Sequence, residues 1–253
     1  MVVSDKHKYV FIELPLTGST ALSSELCDQY DGEKILKKHS RYHEFLRIAT
    51  PEQKKYFTFS GIRNPLDFIV SEFLKIKSNH KGRYTNAKEW RKNGGTLSNK
   101  NLLLYDEITS KNMSFQDYFL KYYKLPYDNW SNVAHNKFDY IVRFENLQTD
   151  FFAALRKLGI EPKRELPKIN KTSEKEDFTK YFTPEIRKHA VFVFGPFMKK
   201  WGYEFPADWE VRKPGFVSFT LFNIMGIVRK IYWSNTDSKS GMSKPKTESN
   251  QKA

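Results

Sequence analysis

The sequence predicts an α/β fold in which helices cover both faces of a parallel sheet. Runs of mostly apolar residues recur at 9–14, 56–62 and 139–144, and a strand apolar on both faces is one buried on both sides. Stretches with helical periodicity separate these runs, and strands that alternate with helices pair in parallel. The chain has 253 residues, 39% of them hydrophobic and 16% aromatic, with no internal repeat. That is enough to bury one sizeable core as a single domain.

The first strand, residues 9–14, runs into Pro15-Leu16-Thr17-Gly18-Ser19-Thr20 and then into a helix. N–H groups at a helix start have no intrahelical acceptor, and the helix dipole adds positive potential there. With the hydroxyls of Thr17, Ser19 and Thr20, this turn reads either as a P-loop-like cradle for an anion or simply as the start of a Ser/Thr-capped helix. Residues 34–36 form a short strand, followed by Lys37-Lys38-His39-Ser40-Arg41-Tyr42-His43-Glu44-Phe45.

The strand 56–62 ends at Arg63, where Asn64 is an N-cap and Pro65 the first helical residue. Arg63 reads either as a strand-end side chain meeting solvent or as a planar fork of donors for an anion, to which Ser71, two turns into the helix, can add a hydroxyl. Residues 75–100 then carry eight Lys/Arg against one acid, Glu89, within a chain of net charge +14. This run reads either as a solvated face or as a surface for an anionic acceptor, with Arg83, Lys88 and Arg91 as cations and Tyr84 and Trp90 as stacking rings.

Helices are expected at 114–123 and 147–158, the second closed by Gly159. Between them lies a short buried strand, 139–144. Arg143 and Glu145 at its end read as an ion pair or cap beside the core. Ligands of such sheets bind beyond the carboxyl ends of the strands, where both the 15–20 turn and Arg63 fall.

Together the two junctions resemble the sulfotransferases that use 3'-phosphoadenosine 5'-phosphosulfate (PAPS). Similar segments continue through 138–147, 166–172, 181–187 and 201–205. The resemblance, over about residues 8–206, implies that Pro15, Leu16, Thr17, Gly18, Ser19 and Thr20 hold the 5'-phosphosulfate. It implies that Arg63 and Ser71 hold the 3'-phosphate, and that a loop carrying Lys171 and Thr172 closes over the nucleotide. The His39–Phe45 segment resembles the His-x-x-Tyr-x-x-Phe segment of glycosaminoglycan 2-O-sulfotransferases, which makes His39 the catalytic base, with His43 as the alternative. One departure stands out: the family's first loop carries Lys where this chain has Leu16. Either Lys37 or Lys38 supplies that cation, or the protein is a catalytically silent binder of PAPS or its product PAP.

The implied acceptor is a hydroxyl of a glycan, glycolipid or similar molecule, bound by Arg83, Lys88, Trp90 and Arg91, with no metal required. No nucleic-acid motif accompanies the basic charge, and the Gly-x-x-x-x-Gly-Lys-Ser/Thr pattern of P-loop kinases is absent. A single cysteine, Cys27, and the lack of an apolar leader point to a cytoplasmic protein. The sequence divides into a sulfotransferase-like domain at 1–206, an amphipathic extension at 207–233 and a disordered tail at 234–253. Residues 215–233 are interrupted by Asn223, Arg229 and Lys230. They read as a helix that packs on the domain or a partner, or that lies on a membrane surface.

Overall fold

The structure, a computed structural model, describes residues 1–88, 97–129, 138–167 and 177–234. Five strands form one sheet: β1 (Val2–Ser4), β2 (Tyr9–Ile12), β3 (Glu33–Lys34), β4 (Phe57–Ile62) and β5 (Tyr140–Arg143). Their order is β3-β1-β2-β4-β5. The pairs β2/β4 and β4/β5 are parallel, whereas β1 is antiparallel to both β2 and β3. The expected parallel sheet is therefore the central part of a mixed one. The sequence reading starts the first strand at residue 9 and misses β1, because a three-residue strand is too short to show a period.

Eight helices are described: α1 (Ser19–Gln29), α2 (Tyr42–Ile48), α3 (Pro65–Lys77), α4 (Asn99–Ser110), α5 (Phe115–Tyr122), α6 (Leu147–Lys157), α7 (Pro184–Trp201) and α8 (Phe216–Ser234). Alternation along the strands assigns the two faces. Tyr9, Phe11, Phe59 and Val142 pack against Leu22 and Leu26 of α1 and Phe151 and Leu155 of α6. Val10 and Ile12 point the other way, into a cluster with Phe45 of α2, Phe138 and Trp201. Helices thus cover both faces, as the unbroken apolar runs require.

An aromatic-rich second core lies beside the sheet, enclosed by α3, α4, α5 and α7. Phe115, Phe119, Phe182 and Phe194 meet there edge-on or stacked. This core also accounts for Tyr84, expected above as an exposed stacking ring: it is 7% exposed and lies parallel to Tyr105 at 4.8 Å. Residues 34–36 likewise differ from expectation. The strand is Glu33–Lys34, and Ile35 and Leu36 leave it to pack against the cluster around Val10. At the sheet edge β5 is only partly buried, with Val142 alone fully enclosed.

The expected helix ends hold. Asn64 Oδ1 accepts from Leu66 N–H at 2.9 Å, and Ser114 Oγ from Asp117 N–H at 3.1 Å. Gly159 takes the left-handed φ of 72° after α6. Arg143 and Glu145 are not paired with each other: Glu145 accepts from Asn64 N–H and Tyr203 OH, and Arg143 donates to Trp201 O. They tie β5 to the starts and ends of neighbouring helices. Among the described residues no helix is long and apolar enough to cross a membrane.

Candidate active site

The turn between β2 and α1 is shaped by two glycines. Gly18 has φ 75° and serves as the N-cap of α1 without any side-chain bond. A Cβ there would stand 2.9 Å from Leu147 Cδ2. Gly61, on β4, would bring a Cβ within 2.8 Å of Thr17 O and Oγ1. The turn can therefore lie directly on β4 only because residue 61 has no side chain. The N–H groups of Ser19 and Thr20 open the helix with no intrahelical acceptor.

The hydroxyls divide unequally. Thr17, expected to present its hydroxyl to an anion, is fully buried, and its Oγ1 donates to Leu14 O at 2.9 Å. Its hydroxyl closes the turn instead, which corrects that part of the expectation. Ser19 is 4% exposed, whereas Thr20 faces solvent.

Three bonds converge on this turn from other elements. His39 Nδ1 lies 2.8 Å from Glu13 O, Lys38 Nζ donates to Thr20 Oγ1 at 2.6 Å, and Arg63 Nη1 donates to Leu16 O at 3.3 Å. A carbonyl only accepts, so Nδ1 carries the proton and the neutral ring keeps its lone pair on Nε2. Burial, opposed by that backbone bond, holds the His39 pKa below its usual 6.5. The ring is consequently neutral at physiological pH. His39 itself has φ 65° in the turn closed by Ser40 N–H on Lys37 O, and Leu16 has φ 57°. Two non-glycine residues thus hold left-handed conformations, Leu16 with its carbonyl accepting from Arg63 and His39 with its ring on Glu13 O.

The two lysines are now distinguishable. Lys38 reaches the turn with its ammonium, whereas Lys37 contributes its carbonyl. Of the two, only Lys38 brings its ammonium to the start of α1.

At the second junction the site is built of side chains. Arg63 is 5% exposed; it donates to Asp67 Oδ2 at 2.8 Å and to Ser71 Oγ at 2.7 Å. Its guanidinium also lies over the Phe144 ring at 4.2 Å. Desolvation pushes its pKa down to about 10, which leaves it charged at neutral pH. Ser71 accepts from Arg63 and keeps its own O–H to donate. Lys75 extends the same α3 face and is depressed by burial and by the charges of Arg63, Lys81 and Arg83. A cation held in that condition gains from an incoming anion.

Sequence reasoning missed Asp67, Lys75 and Phe144. The spacing 63, 67, 71, 75 places the first two beside Arg63 and Ser71 on one helical face, so a period of four was the available signal. Phe144 touches both junctions, being also 3.4 Å from where a Cβ on Gly18 would stand. Of the other candidates, Pro15 is partly buried in the turn, Arg83 adjoins Lys75, and Lys88 is exposed. Trp90, Arg91, Lys171 and Thr172 lie outside the described residues. Among the described residues, no group of three His, Cys, Asp or Glu side chains is arranged to hold a metal ion.

The geometry thus offers a backbone cradle for one anionic group, a buried Arg/Ser pair for a second, a poised lone pair and a cation beside the first. Residues 1–195 match the model of the sulfotransferase family. No curated protein and no solved structure matches the chain significantly.

Proposed function

Because the chain belongs to the sulfotransferase family, we propose that it transfers the sulfuryl group of PAPS to a hydroxyl of a glycan, glycolipid or similar acceptor. The observation that carries this reading is the convergence of His39, Lys38 and Arg63 on the single turn 13–20. A protein that only bound nucleotide would have no use for a desolvated, tautomer-fixed histidine there.

Each residue has a role in this reading. The N–H groups of Gly18, Ser19 and Thr20 receive the 5' anionic groups, and Arg63, Ser71 and Lys75 receive the 3'-phosphate. The nucleotide supplies the activated sulfuryl group, whose bond to the phosphate oxygen breaks as a bond to the acceptor oxygen forms. His39 Nε2 takes the acceptor's proton. Lys38 balances the negative charge that develops on the departing phosphate oxygen, the part that a lysine at position 16 would otherwise play. Little covalent work falls to the protein in such a transfer, so positioning and charge compensation supply the catalysis. Arg83 and Lys88, with Trp90 and Arg91, form the acceptor surface.

Incubating the full chain with sulfur-labelled PAPS and a panel of glycans and lipid extracts tests this directly. Label is expected on a hydroxyl-bearing acceptor with wild-type protein and not with His39→Ala. PAP binding without transfer to any acceptor would instead assign the chain to nucleotide binding.

A further inference from the structure

The helix α8 lies beyond the residues that the family model matches. Its inner face is committed. Ser218 Oγ donates to Phe192 O, Phe222 is buried with Ile62 and Phe197, and Arg229 Nη2 donates to Pro126 O. At its far end Arg41 Nη1 donates to Trp233 O, and the guanidinium covers the Trp233 ring at 4.1 Å. The helix is thus fixed along its length on α7 and beside the segment that carries His39.

The outer face is a different surface. Phe216, Val217, Ile224, Ile227 and Val228 are 83%, 63%, 50%, 61% and 51% exposed. At 100° per residue these five fall within about a third of a turn on one side of the helix. Apolar side chains gathered on one exposed face mark a contact surface, whereas scattered ones do not. The helix contains no Asp or Glu. Its border is basic: Lys230 is exposed on one edge and close enough to Lys200 of α7 for their charges to interact, while Lys199 lies over Phe219. Arg212 and Lys213 stand exposed just before the helix begins.

We propose that the outer face of α8 docks on the anionic surface of a lipid bilayer, with its apolar strip at the boundary between headgroups and acyl chains and its basic border on the phosphates. A helix of this pattern lies in the interface without spanning it. Charge selects this occupant over a second copy of the chain. Two molecules of net charge +14 would bring like-charged borders together, whereas an anionic bilayer attracts them.

The test is co-sedimentation of the full chain with vesicles of phosphatidylcholine alone and of phosphatidylcholine mixed with phosphatidylserine. The chain should partition into the mixed vesicles, less so at high salt. The triple variant Ile224→Ser, Ile227→Ser, Val228→Ser changes only exposed side chains, so it should keep the wild-type Tm while lowering the partition by about tenfold or more. Lys230→Glu should weaken binding to the mixed vesicles alone. Absence of binding to mixed vesicles, or equal binding by the triple variant, overturns the proposal. So does a wild-type dimer in sedimentation equilibrium that the triple variant dissolves, since that assigns the face to self-association.

Discussion

The two strand-to-helix junctions share a plan, a strand delivering the chain to a helix start, yet the donors they present differ in kind. At the first, Gly18 caps α1 with no side chain, which leaves the N–H groups of the helix start open. At the second, Asn64 and Pro65 fill the helix start, and the donors beside it are the side chains of Arg63 and Ser71, bonded to each other. A capped helix end has spent the donors that an uncapped one offers. The first junction therefore depends on what its residues lack, and the second on what they carry. His39 and Lys38 both make their contacts at the first.

The largest effect that would sharpen this contrast is at His39. His39→Ala should lower kcat by about 10²–10⁴ and leave PAP affinity nearly unchanged, because a base acts mainly in the transition state. In steady-state kinetics, equal activity in mutant and wild type would move the role to His43 or to water. The same residue sets the pH response. Its pKa is held below 6.5 by burial, so kcat/KM should stay level as pH falls to about that value and decline only below it. As a base His39 would act in its neutral form, and the charged form appears only at lower pH. Folding follows the same sign, since the unfolded chain takes up that proton first and stability declines as pH drops below 6.5.

Lys38 comes next. Lys38→Ala should cost about 10²–10³ in kcat, the usual size for a lost electrostatic donor, while Lys37→Ala should change little. Leu16→Lys should restore part of the loss. A double-mutant cycle on kcat/KM should show coupling between positions 16 and 38, and strict additivity would mean that the two do not serve one developing charge.

Two smaller substitutions separate the junctions by stability. Gly18→Ala places a Cβ against Leu147 in a left-handed backbone and should cost at least about 1–2 kcal/mol together with nucleotide affinity. Asn64→Ala removes a cap and should cost about 1 kcal/mol while affinity is retained. Urea denaturation and calorimetric titration of both variants would check the pair.

Local chemistry made both junctions legible. Asn64-Pro65 and Gly159 each declare a backbone requirement within a few residues, and the structure meets both, whereas the Ser/Thr cap expected for α1 is replaced by Gly18 with no side-chain bond. What the sequence withheld depends on partners far along the chain. The hydroxyl of Thr17 reads as a donor until the backbone folds it onto Leu14. Lys37 and Lys38 are equivalent as letters, and only the turn at His39 sends one of them to Thr20. Tyr84 reads as a surface ring because its companion, Tyr105, is 21 positions away across α4. The strand β1 is stabilised by pairing on both sides, which no local period reports.

The claim that the two junctions grip two different anionic groups is tested most directly by titrating the wild-type chain and Arg63→Ala with PAP and with adenosine 5'-phosphate, which lacks the 3'-phosphate. Wild type should bind PAP more tightly by about 2–5 kcal/mol, the usual cost of leaving a buried charge contact unmade. Arg63→Ala should bind both nucleotides alike and weakly. Equal affinities in the wild type, or a preference for PAP that survives in Arg63→Ala, would contradict the account.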